Sequence, residues 1–336
     1  MNEVKNDPVL IDRFLKRGVA TLVPSEEAIR KALTSGKRLR VYQGFDPTGP
    51  YLHVGHAIGI RALRLLQQLG HEVIFLVGDY TSMVGDPDKE TTREMLTAEK
   101  IESNLSGWKE QAGRLIDFTG ENPVRFARNS EWLSKLTFAD VLKLMSQTTI
   151  QRLLERDLFD RRLKANDPIR FHELLYPLMQ GYDNVAMDVD MEIAGHDQLF
   201  NMLVGRDLMR SYKNKEKFVR ANTMMDAPDG RTMSKTKGNG INLADSSNDM
   251  YGKAMSYPDS AIISGLELLT EVSEKDIEEI KQALASGENP MKFKKLLAFE
   301  IVKTIRGQQD AEKAEQNFIN VFSNKENPEE MVEYSF

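Results

Sequence analysis

The sequence predicts an α/β fold built on a Rossmann-like parallel sheet, with a helical insertion and a C-terminal helical region. Apolar segments at residues 38–43 and 72–77 flank a helical pattern at 57–69, which gives the order strand, helix, strand of a right-handed crossover. The segment EVIFLV at 72–77 is continuously apolar, as in strands that are buried on both faces of a parallel sheet. Such a unit typically begins a nucleotide-binding domain.

The other predicted elements follow from the same patterns. Helices at 8–17 and 26–33, the second with Ser25 as its N-cap, precede the strand at 38–43. Later elements are a long helix at 97–117, a strand at 124–127, a largely helical stretch at 138–178 with a charged segment at 150–163, a helix at 171–183, a strand at 187–194, and helices at 276–285 and 293–306.

These elements predict a division of the chain into four parts. A Rossmann-like catalytic domain covers 1–222 and carries the helical insertion near 129–178. A mobile loop at 223–245 separates it from a helical domain at 246–322. The polar, acidic residues 323–336 are predicted to be a disordered tail.

Composition narrows the class of protein. With 336 residues, of which 40% are hydrophobic, the chain can form a large core and two domains. Its lack of cysteine rules out a disulfide framework and suits a reducing compartment. No apolar run has the length of a signal peptide or a membrane span, so we expect a cytoplasmic protein without a membrane partner. The net charge of -6 argues against indiscriminate nucleic-acid binding, and the basic run at 206–217 fits a solvated helix face.

Residues 42–56, YQGFDPTGPYLHVGH, hold the densest group of chemically committed side chains. They leave a strand, pass through an irregular loop and enter a helix, whose first turn offers unpaired backbone N–H groups to a phosphate. His53 and His56 lie at that turn, and their spacing fits two donors aimed at one phosphate group. A zinc site is disfavoured because no cysteine exists and the other histidines lack ligand spacing; incidental helix-capping histidines remain an alternative.

Three further segments carry polar groups in positions that indicate binding. The helix at 171–183 places Tyr176, Gln180 and Asp183 on one stripe, which indicates a lined pocket. The strand at 187–194 ends in polar residues, where parallel sheets bind ligands. Two glycine-rich loops contain cations that could reach a polyphosphate. Lys89 and Arg93 follow Asp86 in the first loop, and the second, which could close on the phosphate, contains Arg231, Lys235 and Lys237 together with the hydroxyl of Ser234.

Taken together, these motifs resemble the class I aminoacyl-tRNA synthetases, and within them the family of tyrosyl-tRNA synthetases of the bacterial type. His53-Val54-Gly55-His56 resembles the HIGH motif of that class, and the run from Thr232 to Thr236, TMSKT, resembles its KMSKS loop. The family resemblance rests on YxGFDPT at 42–48, GDP at 85–87, YPLxQGYD at 176–183 and GxDQ at 195–198, and it extends over about residues 14–322.

The resemblance implies a role for each matching residue. The implied tyrosine-binding residues are Tyr42 and Asp183 for the phenol, Asp86, Tyr176 and Gln180 for the ammonium group, Gln198 near the carboxyl, and Asn129 with Trp132 in the pocket wall. The implied ATP-binding residues are Gly44, Asp46, Gly195 and Asp197 for the adenylate, Met224 and Met225 for the adenine, and His53, His56, Arg231 and Lys235 for the phosphates. The implied catalytic set is His53, His56, Lys235, Thr48, Lys89 and Arg93, with no metal bound by protein side chains.

Three departures from the family pattern qualify these assignments. Thr232 stands where the KMSKS loop has its first lysine, so Arg231 could carry part of the pyrophosphate clamp. The loop after Asp86 is one residue shorter than in many relatives, which weakens the assignment of Lys89 and Arg93. We also expect the S4-like RNA-binding domain that usually follows in this family to be lacking, and therefore poor tRNA charging.

The predicted activity is that of a tyrosine–tRNA ligase. It would activate tyrosine with ATP, accompanied by Mg²⁺, and transfer the tyrosyl group to tRNA(Tyr); the resemblance also implies a homodimer. The alternatives are a tryptophanyl-tRNA synthetase, which needs no phenol-binding pair, and a small-molecule nucleotidyltransferase, which needs no polar stripe at 176–183. A non-enzymatic RNA-binding role is disfavoured by the acidic balance and by the apparently complete site.

Overall fold

The computed structural model describes residues 3–86, 96–226 and 240–322. These residues form two compact units. The first comprises Met1–Pro50, Gly59–Lys109 and Ile116–Thr223, and the second comprises Tyr51–Ile58, Glu110–Leu115 and Met224–Phe336. The predicted α/β class is confirmed, whereas the predicted domain boundaries stay a prediction.

The first unit is built on a six-stranded sheet with the order β1-β6-β5-β2-β3-β4. The strands are β1 (Val19–Val23), β2 (Arg40–Phe45), β3 (Glu72–Val77), β4 (Arg125–Arg128), β5 (Met191–Gly195) and β6 (Phe218–Asn222). All neighbouring pairs are parallel except β1 and β6. Strand β5 lies beside β2 although 151 positions separate their first residues, Met191 and Arg40 (191 minus 40). The sheet order therefore switches between these two strands, and parallel sheets bind ligands outside the carboxyl ends of strands at such a point.

The first unit contains the helices α1 to α12, two of which it shares with the second unit. They are α1 (Pro8–Lys16), α2 (Glu26–Leu33), α3 (Val54–Gln68, whose first residues belong to the second unit), α4 (Thr81–Val84), α5 (Ala98–Leu105), α6 (Trp108–Gly113, whose residues from Glu110 on belong to the second unit), α7 (Ser130–Leu133), α8 (Phe138–Met145), α9 (Ile150–Leu154), α10 (Asp157–Lys164), α11 (Tyr176–Met187) and α12 (Leu199–Lys213). The second unit contains α13 (Ser247–Met255), α14 (Ile262–Leu269), α15 (Glu274–Ala285), α16 (Pro290–Arg306) and α17 (Gln308–Phe322).

Several predicted elements are confirmed. Strand β3 has the predicted bounds Glu72–Val77, and it is buried along almost its whole length. Helix α2 begins where predicted, because the Ser25 hydroxyl accepts a hydrogen bond from the Ala28 N–H at 3.3 Å.

Strands β1 and β6 were not predicted from the sequence. Because β1 comes first in the chain, the prediction that residues 38–43 form the first strand is wrong. Strand β1 follows α1 after Gly18, whose φ of 63° turns the chain sharply, and it pairs antiparallel with β6 at the edge of the sheet. Strand β6 was hidden by its charges. Lys217 just before it and Arg220 within it are both buried, so the basic run at 206–217 is not wholly a solvated helix face.

Other boundaries differ for local reasons. The predicted helix at 97–117 is two helices, α5 and α6, because Gly107 between them has a φ of 84°. The predicted strand at 187–194 begins only at Met191, since α11 continues to Met187 and ends at Asp188 in the left-handed region. The first residues of the predicted helix at 171–183 form a 3-10 turn, Phe171–Leu175.

Candidate active site

The carboxyl end of the sheet in the first unit carries a group of linked polar side chains. Asp46 follows β2 directly, and its two carboxylate oxygens accept hydrogen bonds from the Thr81 hydroxyl and the Tyr176 hydroxyl, both at 2.9 Å. Tyr176 begins α11, so this bond fixes the start of that helix against the end of β2. Burial, and then the Asp46 carboxylate, raise the pKa of the Tyr176 hydroxyl, which therefore stays a neutral donor.

Asp183 is a buried carboxylate with two donors from the segment after β4. Only 3% of it is exposed. The Trp132 indole N–H donates to one oxygen at 2.7 Å, and the Asn129 amide donates to the other at 3.2 Å. Burial raises the pKa of Asp183 well above its usual value, and the donors Trp132 and Asn129 act in the opposite direction.

Three hydrogen bonds, including the one to Asp183, hold the Asn129 side chain. Its amide also donates to the Thr81 hydroxyl at 3.0 Å, and its carbonyl oxygen accepts from the Tyr80 N–H at 2.9 Å. Because the residue lies just after β4 and these partners lie just after β3, two neighbouring strand ends set the orientation of the Asp183 donors.

Tyr42 lies beside this carboxylate with its own hydroxyl unsatisfied. The residue is 1% exposed, and no hydrogen-bond partner for its hydroxyl is found among the described residues. Its place in β2 is opposite Glu192 in β5. Burial, followed by the charges of Glu192 and Asp183, raises the pKa of the Tyr42 hydroxyl. The hydroxyl is therefore a neutral donor near two carboxylates.

The side-chain amides of Gln180, Asn201 and Gln198 form a hydrogen-bonded chain, called the amide line below, that runs from Glu192 to Asp86. The Gln180 amide donates to Glu192 at 2.9 Å, and the Asn201 amide donates to the Gln180 and Gln198 carbonyl oxygens, each at 3.0 Å. The Gln198 amide in turn donates to Asp86 at 2.7 Å. This line brings Asp86, Gln180 and Gln198 into one network although they were singled out in three separate segments.

The sequence interpretation missed four members of this network. They are Glu192, Asn201, Lys217 and Arg156. Arg156 pairs with Asp86 at 2.7 Å, so this carboxylate already has a cation of the protein beside it. A signal existed for Glu192, since an acid inside the apolar strand MEIAG needs a buried partner.

The two predicted histidines belong to the second unit. The His53 backbone N–H donates to His56 Nδ1 at 3.0 Å, and the two ring centroids are 3.8 Å apart. Because Nδ1 accepts this bond, the proton of a neutral His56 ring lies on Nε2, which makes Nε2 a donor. Residues 52–54 are held by the segment that follows the second glycine-rich loop: Val54 N–H donates to the Ile241 carbonyl at 2.9 Å and Leu243 N–H to the Leu52 carbonyl at 2.7 Å.

The remaining predicted residues are placed as follows. Gly44 lies in β2, Thr48 closes a turn by donating its N–H to the Asp46 carbonyl at 2.8 Å, and Gly195 ends β5. Asp197, in the 3-10 turn His196–Gln198, accepts from the Gln198 amide at 3.0 Å. In the second unit Met224 is exposed and Met225 is buried. Lys89, Arg93, Arg231, Thr232 and Lys235 lie outside the described residues.

Metal-binding clusters and membrane-spanning helices are both absent from the described residues. No group of three or more histidine, cysteine, aspartate or glutamate side chains there could hold a metal ion. Within the same ranges, no helix is long and apolar enough to cross a membrane.

Comparison with known proteins assigns the family. Residues 34–323 match the family described as tRNA synthetases class I (W and Y). The chain is 43% identical over 327 residues to the tyrosine–tRNA ligase of Carboxydothermus hydrogenoformans, covering 96% of this chain and 79% of that protein. It is also 43% identical to tyrosine–tRNA ligase 2 of Vibrio parahaemolyticus, covering 96% and 81%.

A solved structure agrees at the level of the fold. The C-terminally truncated mitochondrial tyrosyl-tRNA synthetase of Aspergillus nidulans matches with a TM-score of 0.78 and 22% identity over 93% of this chain and 94% of that one. The chain therefore belongs to the class I tRNA synthetases, as the resemblance predicted, and is an aminoacyl-tRNA synthetase. Within that class it belongs to the tyrosine–tRNA ligases, and neither alternative enzyme is supported.

Removing a hydrogen-bond donor from Asp183 should lower the free energy of unfolding by an amount that depends on pH. In Trp132→Phe the indole N–H is gone, so we expect a lower free energy of unfolding by about 1–3 kcal/mol. The folded pKa of Asp183 is already raised above 3.8, so its ionisation costs stability as pH rises through that pKa. Removing a donor raises this pKa further, and the loss should therefore be larger at about pH 8 than at about pH 5.

Urea unfolding at the two pH values measures the effect. Trp108→Phe is the matched control, since the Trp108 indole donates to the Gly49 backbone carbonyl at 3.3 Å, an acceptor that does not titrate. An equal loss at both pH values in Trp132→Phe would contradict the assigned role of its N–H.

Proposed function

We propose that this chain activates tyrosine with ATP and transfers the tyrosyl group to tRNA(Tyr), with the substrate hydroxyl bound at Tyr42 and Asp183. The observation that carries this proposal is the buried Asp183 carboxylate beside a Tyr42 hydroxyl that lacks a hydrogen-bond partner among the described residues. A phenol hydroxyl can donate to the first group and accept from the second. One substrate group would thus satisfy two buried protein groups.

Such a pocket distinguishes tyrosine from phenylalanine, which lacks only the hydroxyl. Phenylalanine would leave the Asp183 carboxylate and the Tyr42 hydroxyl without the hydrogen bonds that the substrate hydroxyl makes, and a buried polar group that loses such a bond is costly. Tyrosyl-tRNA synthetases are themselves a standard illustration of this asymmetry. Asn129 and Trp132 serve the pocket by orienting Asp183.

The amino-acid end of the substrate would meet the amide line. We assign its ammonium group to Asp86, Tyr176 and Gln180, because carbonyl, carboxylate and phenol oxygens can all accept from it. Gln198, whose amide donates to Asp86, is assigned to the carboxyl group from the family pattern. The ammonium would then share Asp86 with Arg156, which donates to the other carboxylate oxygen.

The reaction itself requires positioning and charge stabilisation rather than a protein nucleophile. A carboxylate oxygen of tyrosine attacks the α-phosphorus of ATP, the bond to the β-phosphate oxygen breaks, and pyrophosphate leaves. A terminal ribose hydroxyl of tRNA(Tyr) then attacks the adenylate carbonyl, and AMP leaves. His56, with its Nε2 proton, and His53 would donate to the phosphates as their charge shifts.

The other ATP contacts follow the family pattern. The adenylate would meet Gly44, Asp46, Gly195 and Asp197, and the adenine would meet Met224 and Met225. Thr48, Lys89, Arg93, Arg231 and Lys235 would attend the phosphates and the departing pyrophosphate. Mg²⁺ would arrive bound to ATP and neutralise phosphate charge, and no side chain of this chain is assigned to it.

We further propose that the chain works as a homodimer in the cytoplasm. The helical region contains large apolar side chains that are at least half exposed: Phe138, Leu142, Ile150, Leu163 and Phe171. Exposed apolar side chains grouped in this way are typical of protein interfaces. We expect light scattering to give twice the chain mass, and Phe138→Asp with Leu142→Asp to give the monomer; an unchanged mass would exclude this surface as the contact.

Tyr42→Phe tests the hydroxyl site. We expect tyrosine activation to fall about tenfold in kcat/KM, the effect of losing one hydrogen bond to a substrate group, while phenylalanine activation stays nearly unchanged. Amino-acid-dependent exchange of pyrophosphate into ATP measures both, after the wild type has been tested with each amino acid. An unaltered ratio would move the hydroxyl site elsewhere.

His56→Ala tests the phosphate role. We expect adenylate formation to slow by about a hundredfold or more, with the tyrosine dissociation constant nearly unchanged, because donors to a developing charge act mainly in the transition state. His172→Ala, in the 3-10 turn Phe171–Leu175, is the control. Weaker tyrosine binding with a normal rate would contradict the assignment.

A further inference from the structure

The side chain of Lys217 is completely buried, and the proposed reaction gives it no part. Its ammonium group forms an ion pair with Glu192, and it donates to the Asn184 side-chain oxygen and the Met202 carbonyl, both at 2.9 Å. The residue is 0% exposed and Glu192 is 1% exposed. Burial lowers the pKa of Lys217, and the Glu192 carboxylate opposes that shift. Two buried charges are costly to retain, and replacing such a pair with neutral groups is often neutral for stability.

The second oxygen of Glu192 connects this ion pair to the proposed substrate pocket. One carboxylate oxygen faces Lys217, and the other accepts from the Gln180 amide nitrogen at 2.9 Å. A carboxylate accepts hydrogen bonds and cannot donate them. The NH₂ end of Gln180 must therefore face Glu192, which turns its carbonyl oxygen the other way.

At the Asp86 end of the amide line, an amide NH₂ group again faces the carboxylate. The Asn201 NH₂ donates to both the Gln180 and the Gln198 carbonyl oxygens, and the Gln198 NH₂ donates to Asp86. Asp86 is in turn paired with Arg156. A carboxylate at each end, each with its own cation, fixes the direction of every amide between them. A neutral side chain at position 192 could either accept or donate, so the direction would no longer be fixed from that end.

We propose that Lys217 and Glu192 form a positioning pair that holds the Gln180 carbonyl oxygen toward the ammonium group of the amino-acid substrate. The pair touches no reacting atom and acts through Gln180. This inference rests on the proposed function, because it takes the ammonium site at Gln180 from there. Because Glu192 also lies opposite Tyr42 in the neighbouring strand, loss of the pair affects both ends of the substrate, and its specific consequence is a larger loss in recognition of the ammonium group than of the phenol ring.

The test uses the double variant Lys217→Met/Glu192→Gln, which removes both charges while keeping similar side-chain volumes. We expect the KM for tyrosine to rise about tenfold in pyrophosphate exchange, the effect of one misdirected hydrogen bond to a charged group, while the KM for ATP stays within about twofold. Tyramine, which keeps the amine, should bind about tenfold more weakly, whereas 3-(4-hydroxyphenyl)propionate, which lacks it, should lose clearly less affinity than tyramine does.

A second buried ion pair provides the control. Arg162 and Glu173 are paired and 4% and 5% exposed, and they have no hydrogen bond to the amide line. Arg162→Met/Glu173→Gln should leave both ligand affinities unchanged. If Lys217→Met/Glu192→Gln fails to fold, as judged by circular dichroism, Glu192→Gln alone replaces it, since Lys217 keeps its two uncharged acceptors there.

The outcomes separate the two proposals. Unchanged affinity for tyramine, an equal loss for both ligands, or the same loss in the control pair would each overturn the positioning role. If the wild type does not activate tyrosine at all, the proposed function is wrong and the positioning role falls with it. Tyrosine activation by the wild type together with a selective loss for tyramine supports both.

Discussion

The burial of the Asp183 carboxylate is the constraint on which the rest of the first unit depends. A buried carboxylate is stable only if donors surround it, and its donors come from Asn129 and Trp132, just after β4. Their orientation requires Thr81 and Tyr80, just after β3. The carboxylate thus requires the parallel order of β3 and β4 and the position of α11, which carries it. In the proposed function, the hydrogen bonds that hold this sheet edge together also orient the carboxylate that receives the substrate hydroxyl.

Two of the three acids of the site are paired with cations of the protein. The buried acids Asp183 and Glu192 lie near one another, and Asp86 lies at the far end of the amide line. The protein supplies one cation to Glu192 through Lys217 and one to Asp86 through Arg156. Asp183 instead receives neutral donors. Under the proposed function, this arrangement leaves the Asp183 carboxylate available to a substrate hydroxyl, the group that tyrosine has and phenylalanine lacks.

The sequence predicted those features that depend on local pattern or on family motifs. The apolar run of β3, the N-cap at Ser25 and the polar stripe of Tyr176, Gln180 and Asp183 could all be read from neighbouring residues. The missed features depend on partners far apart in the chain. Lys217 looked like part of a solvated basic run because its partner Glu192 is 25 positions away, and β6 was hidden because its Arg220 is buried against the carbonyls of Phe14 and Arg17.

The most direct test of the account is the substrate preference of Asp183→Asn, which keeps the size of the side chain and removes its charge. The measurement is the ratio of kcat/KM for tyrosine to that for phenylalanine in pyrophosphate exchange, compared with the wild type. The account predicts that the variant stays folded and that the ratio falls by about tenfold or more, because tyrosine activation becomes slower. A folded variant with the wild-type ratio would show that Asp183 does not bind the substrate hydroxyl.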